Sequence, residues 1–336
     1  MSLPPRSVGL IVFESLTSAS LVLCAFLGNS ILLIALYTKP RLRSSTGIMI
    51  AALAVTDLLN ACIPGSLFFS SLVTGKMSFS SFGCQISGFF MHFLTYASMS
   101  TMALSAVNRF FCVLKPTLYK RAFTYHLSLV YVVALWLLVA AVVFLPIVSG
   151  WSTFDFNPVM AACVMKFVDS KAEIGYTCFV VAFFVVFCLS VITVCYFRVS
   201  QFIQQHKYNS VLPPVQEIRL TRALFVLVFT FAGLWIPTFL AIVSFRLLLR
   251  SFISRELVLL VPYLVNLSSA LNPWIYGVMS PLVRDKMKKS LFSKPRLPQS
   301  DATSLAGEIT IVRAWEQREA PREPHHTGEM LPNVSF

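Results

Sequence analysis

The chain has 336 residues, of which 57% are hydrophobic and only 12% charged, with a formal net charge of +13. Soluble domains carry about 25% charged residues, so the composition excludes an ordinary soluble domain and points to an all-α membrane protein made of spanning helices. In a soluble chain such a positive charge would suggest nucleic acid. Here no nucleic-acid partner is expected, and the position of the bases beside the apolar segments is what matters.

Residues 1–8 form a short leading segment, and "MSLPPR" runs directly into apolar sequence without a small-residue cleavage pattern. The first span is therefore expected to act as an uncleaved signal-anchor. Seven apolar segments follow, over 9–37, 46–73, 81–114, 125–149, 174–202, 217–247 and 255–279. Each is close to or above the roughly 20 residues that a spanning helix needs. Their apolar runs are continuous rather than alternating, which excludes strands of a barrel. The expected architecture is a seven-transmembrane helix bundle over 9–280. After it, "PLVRDKMKKSLFS" (281–293) mixes apolar residues and bases as a short amphipathic eighth helix on the inner membrane surface, where anionic lipid would meet the bases. Residues 294–336 are polar and mixed in charge, the composition of a disordered cytoplasmic tail.

Orientation follows from Lys and Arg in the loops. Lys39, Arg41 and Arg43, then Lys115, Lys120 and Arg121, then Arg198, Lys207, Arg219 and Arg222, and finally the bases after the seventh segment all fall on one side if the segments alternate. That side is expected to be cytoplasmic, which places the N-terminus outside and the C-terminus inside. Arg246, Arg250 and Arg255 lie on the outer side against this trend. Two roles fit them: steering an anionic ligand, or snorkelling toward headgroups.

Polar residues inside apolar segments carry the functional signal. Asp57 is the one acid deep in any segment, whereas Glu14 lies near an outer end. A buried carboxylate needs a partner, an ion or a proton. Asn29, Ser98, Ser268, Ser269 and Asn272 are small polar residues at similar depth. Together with Asp57 they could hold a small cation such as Na⁺, or the group could simply tie helices together by hydrogen bonds. Pro237 and Pro273 mark kinks in the sixth and seventh segments. Cys84 and Cys163 both face the expected oxidising side, where a disulfide between them is expected.

These residues, taken in order, resemble the rhodopsin-like, or class A, family of G-protein-coupled receptors. Asn29 in "GNS", Asp57, Cys84, Trp136, Cys163, the "WIP" of Trp235 to Pro237, and the Asn-Pro-x-x-Tyr of Asn272, Pro273 and Tyr276 match the family's motifs one after another. "NRF", Asn108–Arg109–Phe110, falls where the family usually has Asp-Arg-Tyr, and Tyr196 matches its inner tyrosine. The resemblance implies a plasma-membrane receptor with no covalent cofactor and no enzymatic chemistry. It would bind an extracellular ligand, swing helix six outward and activate a heterotrimeric G protein. It also implies that Arg109 pairs in the resting state with an acid at the inner end of helix six, here Glu217. Arrestin and a receptor kinase would act through hydroxyls of the tail such as Ser300, Thr303 and Ser304. Two departures stand out. Asn108 removes the usual acid beside Arg109, and Cys188 replaces the usual helix-five proline, so the helix-five bulge is expected to be missing. A non-signalling decoy or scaffold is the alternative that these departures leave open.

The resemblance also restricts the ligand. A retinal Schiff base needs a buried lysine. No spanning segment has one, and Asn266 stands at the family's retinal position. Met91 stands where amine receptors place an acid. Met91, His92, Thr95, Tyr96, Trp235, Phe239 and Asn266 are expected to line an apolar pocket for a neutral small molecule, a lipid-like compound or a short peptide. Melatonin-type receptors share a similar Asn-Arg at the end of helix three and also lack the helix-five proline.

Overall fold

The computed structural model describes residues 2–38, 44–205 and 254–279, with side chains to residue 275, and scattered helical positions between 225 and 243. Among the described residues, six helices are long and apolar enough to cross a membrane. They are the first (Val8–Tyr37), second (Ser45–Thr74), third (Ser81–Leu114), fourth (Tyr125–Val148), fifth (Ser170–Gln205) and seventh (Arg255–Met279) of the bundle. Helical positions between 225 and 243, Phe239 among them, belong to the sixth. Glu217, Trp235, Arg246, Arg250, the expected eighth helix and the tail lie outside the described residues, as does the side chain of Tyr276.

Local chemistry sets the helix starts. Ser7, Ser44, Ser80 and Thr124 each accept a hydrogen bond from the backbone N–H three residues on. Such N-caps stabilise a helix by about 1 kcal/mol each. A short helix, Pro116–Ala122, links the third and fourth helices and begins on proline, whose missing N–H costs nothing at a helix start.

Burial separates the helices by role. The fourth helix is the more apolar and has few buried positions, so most of its surface meets lipid. The third is less apolar and largely buried, and it forms the axis of the bundle. Around it the main core packs Tyr96, Met99, Met102, Phe184, Ile192 and Tyr196.

Two helices widen locally into π-turns. The first, Ala61–Gly65, holds Pro64. The second, Val181–Phe187, ends immediately before Cys188. The helix-five bulge expected to be absent is therefore present without its proline. A π-turn needs only one extra residue in the turn. Here it is held by the stacking of Phe184 on Tyr96, with centroids 4.6 Å apart.

The loop between the fourth and fifth helices adds a feature that the sequence reading did not anticipate. It is an antiparallel hairpin of β1 (Ser152–Asn157) and β2 (Ala162–Phe167), with Phe156 opposite Cys163. Cys84 and Cys163 form the expected disulfide. Gln85 then clamps β1: its amide donates to the Phe154 carbonyl at 2.6 Å and its carbonyl accepts the Phe154 N–H at 3.2 Å. Phe154 lies flat against Gly88, where any Cβ would collide with the ring. The hairpin is thus seated over one end of the bundle.

Candidate functional site

Beneath the hairpin lies a cavity of about 80 Å³, several times the ~10–15 Å³ that one water needs. The third helix supplies Met91, His92, Thr95 and Tyr96, all expected from sequence, and Phe239 closes the sixth-helix side. Sequence reasoning missed the hairpin residues Met160, Val164 and Met165, and also Tyr176, Thr177, Val180 and Val181 of the fifth helix. Adjacent Val180 and Val181 both reach the cavity because the π-turn starts there and offsets the helical period. No signal in the sequence marks that offset. Among the described residues, no Asp, Glu, Lys or Arg lines the cavity. His92 Nδ1 bonds the Gly88 carbonyl at 2.8 Å, which makes Nε2 the acceptor in the neutral ring.

Asn266 is not part of this cavity. Its amide nitrogen donates to the Pro262 carbonyl at 2.8 Å, and its Oδ1 accepts from Asn60 at 3.4 Å. It lines a smaller pocket beside the first, between the second and seventh helices, with Asn60, Pro64, Ser87 and Met91. The Pro262 carbonyl one turn earlier accepts this amide and turns it away from the cavity.

The cluster around Asp57 assembles largely as expected. Asn272 donates to Asp57 Oδ2 at 2.6 Å, and the Ser269 hydroxyl, which accepts from Asn60 at 3.3 Å, lines the same space as the acid. Ser98 bonds Thr56 rather than the acid, at 2.9 Å. Asp57, Thr56, Ser98, Ser268 and Ser269 border a space of about 10 Å³, the size of one water or one small ion; Asn272 is not in its lining. Asn29 stands apart from this group. It donates to the carbonyls of Ala25 at 2.8 Å and Ser269 at 3.1 Å, joining the first helix to the seventh.

At the opposite end of the bundle, Arg109 is only 1% exposed. Asn108 does not leave it without a local acceptor: Asn108 Oδ1 accepts from Arg109 Nε at 3.3 Å and Nη2 at 3.0 Å. The same amide accepts from Thr46 at 3.2 Å and donates to Ser45 at 2.6 Å, and Ser45 in turn accepts from Ser128 at 2.6 Å. Among the described residues, neutral side chains of the second, third and fourth helices thus brace the arginine. Phe110 is half-buried beside Phe111. Tyr196 is buried close to Arg109 and meets Phe225 edge-on at 5.9 Å. Pro237 is helical and exposed, and Pro273 is buried in the seventh helix.

Arg255 departs from both roles considered for it. It makes a two-pronged ion pair with Glu14, at 2.8 and 3.1 Å. A lone acid near a helix end gave no signal of this long-range pairing.

Comparison with known proteins gives three concordant results. Residues 28–276 match the family described as 7 transmembrane receptor (rhodopsin family). The chain is 28% identical over 274 residues to melatonin receptor type 1A of Ovis aries, covering 79% of this chain and 74% of that one. It is 25% identical over 313 residues to G-protein coupled receptor 161 of Danio rerio, covering 83% and 59%. Among solved structures, squid rhodopsin superposes with a TM-score of 0.76 over 89% of this chain and 91% of that one, at 17% identity.

Proposed function

Because the chain belongs to the rhodopsin family of seven-transmembrane receptors, and so is a multi-pass G-protein-coupled receptor rather than an enzyme, we propose that it responds to a neutral, mainly apolar small molecule. The observation that carries this reading is the cavity beneath the hairpin, whose described lining holds no charged side chain. A cationic or anionic ligand would have to lose its hydration there without a counter-charge, which costs several kcal/mol. His92, Thr95 and Thr177 offer polar contacts that orient a ligand within an apolar wall, the usual division of labour in small-molecule sites. Met91, Met160 and Met165 add adaptable surface that suits a flexible or lipid-like ligand.

The hairpin end is the extracellular end in this reading, and the Arg109 end faces the cytoplasm and the G protein. Trp235, Pro237, Asn272, Pro273 and Tyr276 carry the ligand signal along the sixth and seventh helices. Outward movement of the sixth helix then frees Arg109 from Glu217 and exposes it to the G protein. Asp57, with Asn272, Ser269 and Ser268, holds Na⁺ in the resting state. Arrestin and a receptor kinase act on the tail.

Nucleotide exchange by purified heterotrimeric G proteins, on receptor in nanodiscs, tests the reading. The panel contains neutral apolar compounds, cationic amines and acidic peptides. Melatonin belongs in it because relatives are named for that compound. Stimulation confined to neutral compounds, and lost in Val181→Phe with basal exchange intact, is the expected result. Stimulation by amines or acidic peptides alone would overturn the ligand class. No exchange with any compound, nor in Glu217→Ala, would favour a decoy or scaffold.

A further inference from the structure

The segment before the first helix is built into the hairpin end of the bundle. Leu3 is 8% exposed and inserts among Phe68, Leu72, Phe156, Leu259 and the disulfide of Cys84 and Cys163. Its N–H donates to the Gly75 carbonyl at 2.8 Å, and Ser2 forms an antiparallel bridge with Lys76. Gly75 has φ +68°, a backbone that favours glycine. That turn brings its carbonyl to the strap. Pro4 and Pro5 stiffen the chain between this anchor and the next.

The second anchor is Arg6. Its side chain is only 3% exposed, bonding Glu14 at 2.8 Å and the Leu72 carbonyl at 2.9 Å. Glu14 also receives Arg255, and the Tyr263 hydroxyl donates to the Glu14 carbonyl at 2.7 Å. One carboxylate therefore links the leading segment, the first helix and the seventh.

What lies below this strap gives it a role. The cluster that receives Leu3 shares Phe68, Phe79, Ala161 and Cys163 with the lining of the small pocket between the second and seventh helices. That pocket in turn shares Met91 and Val265 with the main cavity. The strap thus packs on residues that wall the small pocket, and that pocket adjoins the cavity.

We propose that residues 2–7 are a strap that closes this flank of the cavity, that the Arg6–Glu14 ion pair is its latch, and that opening the latch admits molecules to the cavity from the hairpin end. The assignment of the cavity to the ligand rests on the functional reading above; the strap itself does not. Arg6 is the residue to change, because its loss leaves Glu14 still neutralised by Arg255, so the bundle keeps its own ion pair.

The test uses the full chain in nanodiscs and a membrane-impermeant, charged thiol reagent, with no ligand present. The unsubstituted receptor supplies the background from the exposed Cys24, Cys62 and Cys178. Leu3→Cys reports strap opening. Met91→Cys and Val261→Cys, both in the lining of the cavity, report access to it. Adding Arg6→Ala should accelerate labelling at Leu3→Cys, and at either cavity reporter, by about tenfold or more, a factor worth 1.4 kcal/mol in the opening equilibrium. Arg6→Lys, which keeps the charge and loses the fork, should fall between the two. Equal labelling with and without Arg6→Ala would overturn the latch. Faster labelling at Leu3→Cys with no change at both cavity reporters would overturn the gate. Neither failure touches the receptor reading, since no ligand or G protein enters the measurement.

Discussion

Arg255 and Arg109 are both drawn out of water at opposite ends of one bundle, yet among the described residues their partners differ in kind. Arg255 meets a full carboxylate, Glu14, which it shares with Arg6. Arg109 has the neutral amide of Asn108 beside it, braced by Ser45, Thr46 and Ser128. An ion pair removed from water is costly to break from one side, because the surviving charge stays buried. A hydrogen bond from a guanidinium to an amide is weaker than one to a carboxylate. Among the described contacts, paired charges hold the hairpin end and neutral hydrogen bonds brace Arg109.

Substitutions can break this contrast. Glu14→Ala leaves Arg6 and Arg255 facing each other without a counter-charge. It should cost about 3–5 kcal/mol, read as a large fall in thermal midpoint of the purified receptor; an unchanged midpoint would remove the ion-pair triad from the account. Asn108→Leu should cost less, about 1–3 kcal/mol, because it strips an acceptor from a buried guanidinium. Basal nucleotide exchange should rise with it.

Asn108→Asp sharpens the contrast from the other side. It turns the brace into a charge-assisted bond, so basal exchange should drop, by up to about tenfold for ~1.4 kcal/mol of added hold. Higher basal exchange in this variant would contradict the bracing role. Thr46→Val removes one neutral bond to Asn108 Oδ1. About 1 kcal/mol is at stake, visible as a small shift of the midpoint with little change in exchange.

Much of this molecule was legible before any coordinate. The third and seventh helices run over 81–114 and 255–279 as the apolar pattern drew them. The Ser and Thr caps explain why the starts were readable, since capping is local chemistry. Asp57 with Asn272, and Cys84 with Cys163, were legible because few residues of their type could serve as partners. What escaped was non-local or offset. The π-turn before Cys188 formed without the proline that would have announced it. Asn266 turned toward Pro262 and Asn60 rather than toward the cavity. Arg255 found Glu14, 241 positions away in the chain.

By itself the sequence determined the seven-helix membrane architecture, because transfer of continuous apolar runs into lipid and the caps at their ends depend on neighbours in the chain. Only the tertiary structure decided which side chains face the cavity, which groups brace Arg109, and that residues 2–7 fold back as a strap. Each of these depends on how helices rotate and where buried polar groups find partners. In a low-dielectric interior that pairing is settled by contact across the bundle rather than by order along the chain.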